Sequence, residues 1–235
     1  MGTLTSLWRL SVVKKIVMAL TGLALCLFVL GHLLGNLKIY LGPLAFNEYA
    51  AFLRTVGHPL LPAGVGLWIA RLGLLVCLVL HVLAATQLYV QSKGARDVAY
   101  ERYATDQVFS RSSLQMRWGG VTLGLFILFH LAHLTWGWLY PGDYIAGDPY
   151  HNVVSGFQHP WLAVLYIAAM APLCLHLYHG VWSMFTTLGL AGPGIERWRR
   201  PLAGGFALLI FGGNVSIPLA ALFGILPLAG GHLWL

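Results

Sequence analysis

Residues 118–139 read WGGVTLGLFILFHLAHLTWGWL. They belong to a run of 25 residues between Arg117 and Asp143 that carries no formal charge. A helix rises about 1.5 Å per residue, and a hydrocarbon layer about 30 Å thick takes about 20 mostly apolar residues to cross. The run is therefore long enough to span a bilayer. It also holds His130 and His133, and ionisable side chains inside a span are rare and point to function by default.

The same pattern extends outward in both directions. Twenty-two uncharged residues separate Lys15 from Lys38, 21 separate Arg71 from Lys93, and 47 separate Asp148 from Glu196. In the last of these, Trp161 to Leu190 is the continuous apolar part. No Lys, Arg, Asp or Glu follows Arg200, and Leu202 to Leu226 forms a final span. Five transmembrane helices are expected, at about 14–38, 62–92, 115–139, 161–190 and 202–226, in one all-α domain covering 1–235. Composition agrees. The chain has 235 residues, of which 58% are hydrophobic and 9% charged, against about 25% charged in a soluble domain. Its mean hydropathy is +0.76. The first apolar stretch is too long for a signal-peptide core and lacks a small-residue cleavage site, so it is expected to remain as a span.

The net charge of +7 is concentrated in a few loops, which indicates topology rather than nucleic-acid binding. Arg9, Lys14 and Lys15 precede the first span. Lys93, Arg96, Arg102, Arg111 and Arg117 lie between the second and third, and Arg197, Arg199 and Arg200 between the fourth and fifth. By the positive-inside rule these loops are cytoplasmic, which puts the N-terminus inside and the C-terminus outside. The expected location is the cytoplasmic (inner) membrane, crossed several times. On the opposite side, residues 46–56 (FNEYAAFLRTV) suggest a short helix lying at the interface. Trp136, Trp138, Tyr140, Tyr144 and Tyr150 read mostly as an aromatic belt.

Six of the ten histidines fall within spans: His32, His81, His130, His133, His176 and His179. Packing alone can account for one such residue far more easily than for at least one in each of four consecutive spans. Helical rise sorts them by depth. His32 lies about 25 Å past Lys15, and His130 and His133 lie about 20 and 24 Å past Arg117. On the descending helices His81 stands about 17 Å before Ser92, with His176 and His179 about 21 and 17 Å before Leu190. The first span should thus pair with the third, and the second with the fourth. Haem iron takes two axial ligands, and helix bundles host such cofactors between facing helices. Tetrahedral zinc would gather three or four ligands at one level. Within each H-x-x-H the two histidines share a face, and spacing does not decide which one ligates; depth alone slightly favours His133 opposite His32.

Other features are secondary. Gly31 and Gly35, like Gly120 and Gly124, suit either close helix contact or room for a flat cofactor. Arg71, inside the second span, needs an anionic partner, with haem propionates, a quinone or interfacial snorkelling as the options. Cys26, Cys77 and Cys174 are dispersed and fit small packing residues, and the absence of C-x-x-C-H excludes covalent c-type haem.

In order and spacing, several segments resemble the cytochrome b membrane-anchor subunit of succinate dehydrogenase and fumarate reductase, in its single-chain, five-helix, two-haem form. They are GHLLGNLKIYLGP with His32, AFNEYAAFLRTVGHPLL, ARLGLLVCLVLHVLAATQL with His81, RWGGVTLGLFILFHLAHL, LHLYHGVWSMFTTLGL and GGNVSIPLA. The resemblance runs from Lys14 to Leu222. It implies that His32 and His130 ligate an outer b haem and that His81 and His176 ligate an inner one. His133 and His179 are left as possible propionate or neighbouring contacts. It also implies a flavoprotein subunit with FAD and an iron–sulfur subunit on the cytoplasmic face. The succinate or fumarate site would lie on those partners, and this chain has no G-x-G-x-x-G and no cysteine cluster. Electrons would end on a quinone, menaquinone being the acceptor that the resemblance favours.

Glu48, Tyr49, Arg54 and His58 populate the region where the family's quinone site is expected. Glu48 is the only carboxylate between the first two spans and is either a proton-transfer group or an ordinary solvated glutamate. Two other readings compete. One is the cytochrome b subunit of a formate dehydrogenase or hydrogenase, which usually has four helices. The other is a haem-free transporter that relays protons through histidines, for which broken helices and inverted repeats would be expected.

Overall fold

The computed structural model describes residues 7–94, 107–142, 144–190 and 192–228, and for residues 107–114 the backbone alone. Arg96, Arg102 and Asp143, and the Arg111 side chain, which entered the charge argument, lie outside what is described. Every regular element among the described residues is helical. They are α1 (Ser11–Asn36), extended by a 3-10 stretch (Leu37–Leu41), α2 (Pro43–Thr55), α3 (Val65–Gly94), α4 (Gln107–His130), continued by a π-helical stretch (Leu131–Thr135), α5 (Pro149–Phe157), α6 (Pro160–Thr187) and α7 (Pro193–Leu222).

Five of these elements are long and apolar enough to cross a membrane: α1 with its 3-10 extension, α3, the Gln115–Thr135 part of α4, α6 and α7. Leu72, Val76, Leu125, Leu128, Leu208 and Leu209 are all exposed along them, as expected where the solvent is lipid. The chain is thus a multi-pass membrane protein.

The helix ends differ from the sequence expectation in ways that have local causes. α1 begins at Ser11, three residues early, because the basic residues at its start are themselves helical. α4 ends at Thr135 rather than 139, where Trp136 N–H reaches the carbonyl of Leu131 and Gly137 turns left-handed at φ 69°. α7 starts at Pro193, nine residues early. Proline is pre-organised for the first helical position, and the charged ERWRR segment winds as the first turns of the same helix, beyond its apolar part.

In the bundle, α1 packs on α3, α6 packs on α4 and on α7, and α1 touches α6 and α7. The pairs α1–α4 and α3–α6 are not among the closely packed ones. α1 meets α7 at Gly213, where an added Cβ would sit 2.7 Å from Cδ1 of the buried Leu33.

One end of the bundle is closed by the two short helices. Asn47 on α2 donates through Nδ2 to Asp148 Oδ1 at 2.9 Å and accepts from Tyr150 N–H at 3.0 Å. Asp148 also caps α5 by accepting from His151 N–H at 2.9 Å. Beneath this tie lies the larger buried cluster, which includes Ile39, Phe46, Tyr150, Val154, Phe157, Leu162 and Ile217. Tyr150 is 2% exposed and its hydroxyl donates to the carbonyl of Pro227 at 3.0 Å, while burial pushes the phenol pKa up and keeps that proton in place. α5 was not expected from the sequence, and it corrects the belt reading for part of the aromatic group. Tyr150 is core, Tyr140 stacks on His133, and Tyr144 packs on Gly137, whereas Trp136 and Trp138 are exposed.

Candidate functional site

Four of the membrane-level histidines meet in two cross-helix pairs. His32 on α1 faces His130 on α4, with ring centroids 5.9 Å apart and planes at 89°. His81 on α3 faces His176 on α6 at 6.2 Å and 62°. Each pair bridges helices that are not closely packed against each other.

Two independent readings set the height between the pairs. His81 Nδ1 lies 3.0 Å from the carbonyl of Met18 and 3.3 Å from Thr21 Oγ1, so it stands level with residues 18–21 of α1. From Thr21 to His32 is about 16 Å of helix. On α6, Tyr166 touches His130 and lies ten residues from His176, or about 15 Å. The two values agree, so the pairs form separate levels along the bundle axis.

The donor set restricts what these pairs can bind. A metal–imidazole bond is about 2.0–2.1 Å, which puts the centres of two imidazoles on opposite sides of one metal about 6 Å apart. Both pairs match that spacing. Among the described residues no group of three or more His, Cys, Asp or Glu side chains is placed to hold a bare metal ion. A metal held here by two imidazoles must bring its remaining donors with it, as iron in a porphyrin does. Nδ1 of His130 and Nδ1 of His176 are buried without a hydrogen-bond partner, so these two rings lack the orienting bond that His81 makes. His81 is already oriented. Its Nδ1 proton points to Met18 O, which leaves Nε2 with a free lone pair, the tautomer a metal ligand needs.

The glycines divide between packing and open space. Gly22 carries no Cβ where one would approach His81 Cε1 to 3.2 Å, and Gly35 makes room for the Tyr49 ring. Gly31, Gly120 and Gly124 have nothing within 4 Å, and neither has Gly180, one turn beyond His176 on its face. These four do not serve close helix contacts.

His133 stands apart from the His32–His130 pair. It is 0% exposed, its Nδ1 is 2.9 Å from the Tyr166 hydroxyl, and its ring stacks on Tyr140 at 5.3 Å. Its Nε2 is buried without a partner beside Gly156, where a Cβ would come within 3.1 Å. Depth arithmetic had slightly favoured His133 opposite His32, and the structure puts His130 there instead. His179 packs edge-on against Trp182 at 5.1 Å.

The polar groups at the α2 end do not converge on one site. Glu48 and His58 are exposed, and Tyr49 lies over Gly35 with Lys38 Nζ 5.2 Å from its ring centre. Arg54 and Arg71 line a common cavity of about 370 Å³ with Ala63, Gly64, Leu67 and Trp68. No hydrogen bond or ring contact joins Arg71 to either histidine pair among the described residues. Sequence reasoning missed Tyr166, which contacts both His130 and His133. An isolated tyrosine in an apolar run gives no periodic signal.

Comparisons with known protein families, with characterised proteins and with solved structures find no match. What the two pairs do therefore has to follow from their own chemistry and placement.

Proposed function

We propose that this chain is the cytochrome b membrane anchor of a succinate:quinone oxidoreductase. In this reading His32 with His130, and His81 with His176, would each hold one b haem through its iron. The observation that carries it is the stacking of two cross-helix imidazole pairs, 5.9 and 6.2 Å across, on two levels of one membrane bundle. Haem bound at both pairs supplies two one-electron carriers in series between the two ends of the bundle.

The protein's own contribution is to fix ligands and exclude water. Met18 O holds the His81 tautomer, and Thr21 and Gly22 shape the wall beside that ring. His32 is exposed on the bundle and His81, His130 and His176 are half-buried, so it is the bilayer around these apolar spans that would keep water from the two pairs. The end of the bundle nearer His81 carries Lys93, Arg117, Arg197, Arg199 and Arg200, and it is the docking face for an iron–sulfur subunit that is itself joined to a flavoprotein with FAD. With haem held there, the His81–His176 level would be the entry side for electrons and the His32–His130 level the side facing a quinone, menaquinone by the family resemblance. Glu48, Tyr49, Arg54 and His58 are the polar side chains of the α2 region at that exit end.

A pyridine haemochrome assay on the purified chain tests the reading. Two b haems per chain are expected, and zero or one would overturn it. Copurification of a flavoprotein supports the succinate-linked complex. A formate- or hydrogen-oxidising partner would keep the haems but change the enzyme.

A further inference from the structure

We infer that Arg54 and Arg71 together form a binding site for the phosphate group of an anionic membrane phospholipid, at the end of the bundle where α3 begins. The inference is independent of the haem reading.

Both arginines line one open cavity of about 370 Å³, and its other lining residues are Ala63, Gly64, Leu67 and Trp68. None is acidic. Arg199 pairs with Glu196 at the far end of the bundle, and among the described residues neither Arg54 nor Arg71 has a carboxylate partner. Two uncompensated cations on one cavity select an anion. The planar guanidinium fork suits phosphate oxygens in a bidentate manner. A quinone head is uncharged and would leave both unneutralised.

The site is held in place. Gly64 N–H donates to the carbonyl of Arg54 at 2.6 Å, and Gly66 packs directly against the carbonyl of Val56. The end of α2 is thereby fixed against the start of α3. The Arg71 guanidinium lies over the Trp68 ring, 5.2 Å from its centre. The cavity also borders the first turn of a 30-residue helix, whose dipole favours negative charge there.

Depth identifies the source of the anion. A helix of 30 residues is about 45 Å long and overshoots a hydrocarbon core of about 30 Å by roughly 7 Å at each end. Arg71 is six residues, or about 9 Å, into the helix, at the boundary between acyl chains and headgroups. Its long stem reaches back to the phosphate level. Trp68 and Leu75, which flank it on the same face, are exposed, so the cavity opens on the lipid side.

The test compares the full chain with Arg54→Gln/Arg71→Gln and with Arg54→Gln alone, purified identically. Bound phospholipid is extracted and quantified by mass spectrometry. Thermal stability is then titrated with short-chain phosphatidylglycerol, short-chain phosphatidylcholine and inorganic phosphate. The native chain should retain anionic lipid and be stabilised by phosphatidylglycerol well above the other two. The double variant should lose the retained lipid and need at least tenfold more phosphatidylglycerol for the same shift. Arg54→Gln, on an exposed helix, should weaken the response severalfold and decides the matter should the double variant fail to fold. Equal lipid retention and response in native and variant chains would overturn the inference. So would equal stabilisation by inorganic phosphate, which would make the site one for free anion. Loss of a haem with lipid retained would instead assign the arginines to a propionate.

Discussion

His133 Nδ1 lies 2.9 Å from the hydroxyl of Tyr166, while His130, three residues earlier, has its ring 5.9 Å from that of His32. The two histidines of one H-x-x-H share Tyr166 as a neighbour, but only His130 faces His32 on α1. In an α-helix, residues three apart stay on one face. Here the chain is π-wound from Leu131 to Thr135, closed by Trp136 N–H on Leu131 O. The wider turn rotates His133 away from His130 by roughly a further 50°. It is thereby directed at α5 and α6 instead of α1.

On the proposed two-haem reading, His130→Ala should leave one haem per chain by pyridine haemochrome, and His133→Ala should leave two. The second variant should still be less stable by about 1–3 kcal/mol, because the buried Tyr166 hydroxyl loses its partner. The opposite outcome, with His133 required and His130 dispensable, would make His133 the partner of His32.

The His81 level can be disturbed from α1. A Cβ on Gly22 would lie 3.2 Å from His81 Cε1, and Gly31 has nothing within 4 Å. Gly22→Val should displace the His81 ring and, on the proposed two-haem reading, remove or convert to high spin one haem signal while leaving that of the His32–His130 pair as it was. Gly31→Ala should leave both unchanged. Low-temperature absorption and EPR spectra distinguish the two signals.

Asn47 ties the two short helices through Asp148 and the backbone of Tyr150. Asn47→Ala removes both bonds and leaves a carboxylate and an N–H to find water. A loss of about 1–3 kcal/mol is expected. For a chain of this size that lowers the melting temperature by about 2–4 °C per kcal/mol. An unchanged melting curve in detergent would show that the tie carries no stability.

At the α1–α7 contact, Gly213→Leu forces a side chain into Leu33, and overpacking of this kind costs about 1–3 kcal/mol. The neighbouring Gly212 has nothing within 4 Å, so Gly212→Ala is the matched control and should be neutral. Equal melting temperatures for the two variants would contradict the close helix approach.

Sequence alone determined the membrane class, the five spans and the four histidine-bearing helices among them. Those are local, additive properties, since an uncharged run such as 118–139 is either long enough to cross a bilayer or it is not. Helical rise also sorted the histidines into two levels, which the contacts of His81 with Met18 and of His130 with Tyr166 reproduce. Depth could not separate His130 from His133, because the deciding factor is a winding defect with no composition signature. The short α5 was hidden for a similar reason. Its polar residues, Asn152 among them, are satisfied by partners distant in the fold or in the preceding loop. Arg71 was legible as a cation in need of an anion, but only the packing of α2 against α3 put Arg54 on the same cavity. Which side chains meet is set by long-range contacts between helices, and those depend on the packing of the whole bundle rather than on any one span.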